Sequence, residues 1–177
     1  MKSTRFVFGR ALAVLCALLF VSFGFMSCQQ EDETEYVNYS LTGTWVNSYS
    51  GGTSVYKITS STFDNSGTSN YNGTTSSYNS YAGNNLVVSY TNDEETSGYI
   101  YIKYTRAMNP DYSYSETAPD VGKWYAIAFK NLTSSSLSLS GAYNASGKTS
   151  TETLEEAIST FTIANGYFSY YSECVKQ

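Results

Sequence analysis

Ser97-Gly98-Tyr99-Ile100-Tyr101-Ile102-Lys103-Tyr104-Thr105 and Lys123-Trp124-Tyr125-Ala126-Ile127-Ala128-Phe129-Lys130 alternate residue by residue between two sets of side chains. A strand turns successive side chains to opposite faces. Ile100, Ile102 and Tyr104 therefore share one face of the first segment, and Tyr125, Ile127 and Phe129 share one face of the second. Both segments read as central strands with one large apolar face turned to a core. Working outward, further strands are expected at 43–49, 53–59, 62–65, 85–90, 136–140 and 166–174. Turn signals separate most of them: Ser50-Gly51-Gly52, Gly83-Asn84, and the polar stretches 92–96 and 131–135.

The segments between fit the same picture. Residues 65–83 are rich in Ser, Asn, Gly and Thr and read as a long weak hairpin or a mobile loop. Residues 106–122 carry both prolines and three acids and form a long connection, where binding surfaces tend to sit. One helix is expected. Thr153-Leu154-Glu155-Glu156 reads as a capping box, and Leu154, Ala157, Ile158 and Phe161 make one apolar stripe that needs the open end or outer wall of the sheet to lie on. Eighteen tyrosines among abundant Ser, Thr, Gly and Asn suit antiparallel sheet. About eight short strands favour closure over a sandwich, because closure removes exposed edges. The fold class is thus all-β: an antiparallel up-and-down barrel of about eight strands with one short C-terminal helix.

Residues 1–27 read as a lipoprotein signal peptide. Lys2, Arg5 and Arg10 form a positive n-region, an apolar stretch follows from Ala11 to Phe25, and Phe25-Met26-Ser27-Cys28 resembles a lipobox. In the lipoprotein family the cysteine at this position is acylated, palmitate being one such chain, and becomes the first residue after cleavage. The apolar stretch is shorter than the roughly 20 residues that a spanning helix requires. Residues 28–36 are then an acidic flexible tether, since Gln29-Gln30-Glu31-Asp32-Glu33-Thr34-Glu35 has no apolar side chain to bury. Residues 37–177 form the barrel domain. Cleavage would leave seven bases against fifteen acids, a net charge of −8, which repels nucleic acid and anionic lipid. Cys16 leaves with the signal and Cys28 is acylated, so Cys174 has no disulfide partner and reads as a small buried apolar residue.

Leu41-Thr42-Gly43-Thr44-Trp45 resembles the Gly-x-Trp motif that opens the first strand of lipocalins and related calycins. The resemblance implies that Trp45 closes the barrel base and that a basic residue stacks on it, one the sequence alone does not place. Segments 98–104, 119–125, 153–157 and 166–172 are similar to a group of treponemal lipoproteins with lipocalin-like domains. Across residues 41–176 that resemblance implies a lipocalin-like barrel and an outer-membrane or cell-surface location in a diderm bacterium. It implies no chemistry, because those proteins have no assigned ligand.

Catalytic motifs are missing. The chain has no histidine, which excludes Ser-His-Asp and Cys-His systems, the His-Glu-x-x-His zinc site and histidine acid/base work. Ser54-Val55-Tyr56-Lys57 matches Ser-x-x-Lys, but a strand puts residues three apart on opposite faces. Asp93-Glu94-Glu95 lacks EF-hand spacing and reads as a solvated hairpin tip. No enzyme activity, cofactor, metal or nucleic-acid partner is expected.

Two readings of function remain. In one, the barrel takes a small apolar ligand against Trp45, Tyr56, Ile58, Leu86, Val88, Ile100, Ile102, Tyr104, Tyr125, Ile127 and Phe129. In the other, those side chains fill the interior, and the protein is a structural lipoprotein or adhesin that meets a surface protein through loop tyrosines such as Tyr112 and Tyr114. In both, Cys28 holds the protein to the membrane through its acyl chains.

Overall fold

The protein is seen in a computed structural model that describes residues 39–177; the signal 1–27, Cys28 and the tether 28–36 lie outside the described residues. The strands are β1 (Gly43–Tyr49), β2 (Gly52–Ile58), β3 (Phe63–Tyr71), β4 (Thr74–Tyr90), β5 (Gly98–Met108), β6 (Tyr114–Ser115), β7 (Trp124–Lys130), β8 (Ser136–Gly141) and β9 (Ser172–Lys176), with α1 (Leu154–Thr160) between β8 and β9. All neighbours are antiparallel, and β1, β2, β3, β4, β5, β7, β8 and β9 follow one another around the sheet in chain order. The last strand returns to the first through Trp45↔Lys176 and Val46↔Val175. This is a closed, eight-stranded, up-and-down barrel of lipocalin-like architecture. The two-residue β6 is a flap on the end of β5.

Alternation divides the apolar residues into two layers. Ile100, Ile102, Ile127, Phe129, Leu137 and Leu139 turn inward and pack with Trp45 and Phe63 in the closed half of the barrel, none of them more than 2 % exposed. Tyr101, Ala126 and Ala128 turn outward from β5 and β7 and are covered by Ala157, Phe161, Tyr167 and Phe168. The helix therefore lies on the outer wall. Its cap is the expected one, with Thr153 Oγ1 accepting from Glu156 N at 3.1 Å, but the reciprocal bond goes to the preceding residue, Glu152 N donating to Glu156 Oε2 at 3.3 Å. Ile158 departs from the expected stripe and is 46 % exposed.

Three expectations are corrected. The stretch read as a weak hairpin or mobile loop is ordered sheet: β3 runs on to Tyr71 and β4 begins at Thr74, with a two-residue turn at Asn72 (φ 48°) and Gly73 (φ 78°). Positive φ at both positions suits the right-handed twist of a hairpin, and an Asn-Gly pair adopts it readily. Polar cross-strand contacts replace apolar alternation there, as in Thr53 Oγ1 against Thr68 Oγ1 at 2.9 Å and Ser54 Oγ against Tyr78 Oη at 3.1 Å. The last strand is Ser172–Lys176 rather than 166–174. Tyr167 and Phe168 are consecutive and both buried, which a strand with one covered face does not allow. Finally, β4 bends. Its first half pairs with β3 and its second with β5, across register shifts at Ala82/Gly83 and Asn84/Val87, with Asn85 at φ 53°.

Candidate functional site

The up-and-down path leaves the barrel with two unlike ends. At one lie Leu41, the β2–β3 turn, the loops 91–97 and 131–135, and the C-terminal residues. Here Trp45 is fully buried and donates from Nε1 to Leu41 O at 2.8 Å. Lys176 Nζ stands 4.9 Å from the centre of the Trp45 ring. Lys176 is thus a basic residue set over the Trp45 ring, brought there by the β1–β9 register. The lysine stem crosses Gly43, where a Cβ would sit 2.6 Å from Lys176 Cε, a contact the flexible stem can relieve, and where φ is +150°, so it is the backbone conformation that favours glycine. Leu132 N donates to Thr96 O at 3.1 Å and ties the two loops of this end together. A hollow of about 240 Å³ remains at the base, edged by Tyr39, Leu41, Ile58, Leu86, Val88 and Tyr90.

The opposite end is open. It holds a cavity of about 800 Å³ between the barrel rim, the β5–β7 connection and residues 142–149. Its floor is aromatic. Tyr104 and Tyr125 stack at 4.8 Å, Tyr81 meets Tyr125 edge-on at 5.2 Å, and Phe63 stacks below Tyr81 at 5.7 Å. Tyr125 Oη donates to Ala142 O at 3.1 Å. Tyr81 Oη makes no hydrogen bond among the described residues. A Cβ at Gly141 would lie 2.6 Å from Tyr125 Oη and 3.2 Å from Tyr81 Oη, so the bare glycine makes room for both hydroxyls.

Burial, followed by the neighbouring phenols, raises Tyr81 and Tyr104 well above the usual tyrosine range, and burial raises Tyr125 too. All three are neutral phenols at physiological pH. The two charges on the rim are already matched. Asp120 accepts from Thr149 Oγ1 at 2.7 Å and pairs with Lys123 at 3.5 Å. Partial burial raises its carboxyl, but hydrogen bonds from Thr149 and Ser150 and the Lys123 ammonium outweigh that and hold it below the ordinary carboxylate value. Lys148 is ion-paired with Glu156. Tyr112, 81 % exposed, stands on the rim at φ 65°, held by Tyr112 N to Asn109 O at 3.0 Å and Asn109 N to Ser113 O at 2.7 Å. A bulky residue at positive φ is uncommon, and here the loop's own bonds maintain it.

Comparison with family models, with characterised proteins and with solved structures returns no match for the chain.

Of the residues read from the sequence as a ligand-facing interior, Tyr104 and Tyr125 line the large cavity, and Ile58, Leu86 and Val88 line the small basal hollow. Trp45, Tyr56, Ile100, Ile102, Ile127 and Phe129 are buried in the packed core. Tyr56 Oη donates to Ser172 Oγ at 3.0 Å inside it. Tyr114 is exposed, as expected, and also stands on the cavity wall. Cys174 is buried and faces the core; burial, then Glu173, pushes its thiol up to about 12, which leaves it unreactive. Tyr81, Tyr143 and Asp120 were not anticipated. Tyr81 is two residues from Gly83 on the inward face, but the bulge just beyond breaks the alternation that would have joined it to Leu86 and Val88.

Proposed function

We propose that this is a lipoprotein anchored through Cys28 at the outer membrane or cell surface, whose barrel holds a small, largely apolar ligand in the mouth opposite Trp45. The observation that carries the ligand reading is the cavity of about 800 Å³ with its tyrosine floor, a size within the roughly 300–1,000 Å³ common for small-molecule sites. The packed lower half keeps that ligand near the mouth. The anchor rests on the positive n-region, the apolar stretch and Ser27-Cys28. A second reading draws on Tyr112 and Tyr143, 81 % and 67 % exposed, which suit a surface-protein partner docked on the same rim.

Two measurements test the proposal. Metabolic labelling with a fatty-acid analogue should mark the wild-type chain and not Cys28→Ala; label that survives the substitution overturns the anchor. Native mass spectrometry of the membrane-extracted protein should show one small molecule bound, lost in Ala142→Phe, which narrows the cavity. A wild-type protein with nothing bound in any preparation, together with a surface protein captured only when Tyr112 and Tyr143 are intact, favours the second reading.

A further inference from the structure

Charge, ring geometry and unused hydrogen-bonding capacity in the mouth cavity together specify more than an apolar ligand. The floor carries no ionised group, since its three phenols stay protonated, and both rim charges are spent on partners in the protein. An ionic ligand would lose its hydration there without meeting a free counter-charge, and burial of an unpaired ion is strongly unfavourable. The rings of Tyr81, Tyr104 and Tyr125 form an aromatic surface of stacked and edge-on contacts at 4.8 and 5.2 Å. Such a surface continues most favourably with another flat ring.

Tyr125 Oη is committed to Ala142 O, whereas Tyr81 Oη has no partner among the described residues and is open to the cavity beside Gly141. A deep hydroxyl placed in this way selects a ligand atom that completes it, because a polar group enclosed without a partner is disfavoured. We infer that the cavity binds a flat, uncharged ring compound with one hydrogen-bonding group, seated against the Tyr104–Tyr125 pair with that group at Tyr81 Oη. This inference rests on the ligand-binding reading above and narrows it to a chemical class.

Four probes with one ring system separate the elements of the inference: pyrene, 1-hydroxypyrene, 1-pyrenecarboxylate and 1-pyrenemethylammonium, titrated into the purified full chain at pH 7 and followed by fluorescence. The wild type should bind 1-hydroxypyrene about five- to tenfold more tightly than pyrene, the effect of one added hydrogen bond, and more tightly than either ion. In Tyr81→Phe, which keeps the ring, that advantage should vanish while pyrene binding is unchanged. Comparison of wild type with variant for each probe removes the detergent partition that the two proteins share, and protein-free titrations at the same detergent concentration correct the comparison between probes. Because the wild-type comparison needs no variant, misfolding of Tyr81→Phe does not rescue the inference. Equal binding of pyrene and 1-hydroxypyrene by the wild type overturns the role of Tyr81 and leaves the ligand cavity standing. Tighter binding of either ion overturns the uncharged class. No binding of any probe removes the cavity reading itself.

Discussion

Trp45 and Tyr112 are both large aromatic residues, and their surroundings predict opposite responses to truncation. Trp45 is fully buried, hydrogen-bonded to Leu41 O and covered by the Lys176 ammonium. Trp45→Ala leaves a cavity in the packed half of the barrel and should cost about 3–5 kcal/mol. Tyr112→Ala removes a side chain that is 81 % exposed and should stay within about 0.5 kcal/mol of wild type. Denaturant unfolding of the two variants makes the comparison; a Trp45→Ala protein as stable as wild type would mean that the base is not sealed as described. The Gly-x-Trp motif was legible because it is local: Gly43 takes a φ of +150°, and Trp45 Nε1 donates to Leu41 O four residues back. Lys176 was not, since nothing local relates it to Trp45, and only the closing register of β1 with β9 brings the two together.

Among the elements, legibility followed the contrast between the two faces. β5 and β7 each bury a large inward face, and alternation found them. β3 beyond Phe63 and the first half of β4 carry mostly polar side chains on both faces, so no apolar period marks them and only Asn72-Gly73 signals the turn. The segment 166–171 was mistaken for strand because aromatic density resembles β-propensity, whereas its burial comes from lying across the outer wall beside α1. The helix has only seven residues and depends on that wall, because an isolated helix so short is not stable. Phe161, fully buried and 6.0 Å from Tyr125, is its main tie. Phe161→Ala should destabilise the protein by about 3–5 kcal/mol. Ile158→Ala, on the same helix but 46 % exposed, should change stability by no more than about 0.5 kcal/mol. Equal effects in chemical denaturation would show that α1 is seated by a different face.

For the whole molecule, the tyrosine floor makes stability sensitive to alkali. Burial raises the folded-state values of Tyr81 and Tyr104 well above normal, while an unfolded tyrosine titrates near pH 10. A raised folded value favours the neutral form in the fold. The stability it contributes is therefore whole below about pH 10 and is lost as pH rises from there through the folded-state value, at about 1.4 kcal/mol for each unit and each group. Urea melts across that range should show the loss, and Tyr104→Phe should flatten it; a midpoint independent of pH above 10 would contradict the buried floor.

The seam between β1 and β9 has a consequence for how the molecule comes into being. The final rungs of the barrel join Trp45 to Lys176 and Val46 to Val175, so its first strand waits for its last. A chain emerging N-terminus first exposes the inward faces of seven strands before the eighth arrives, and pairing across so long a separation is slow. Closure therefore needs β9 in place, and a barrel without it is an open sheet whose β1 and β8 edges are unpaired.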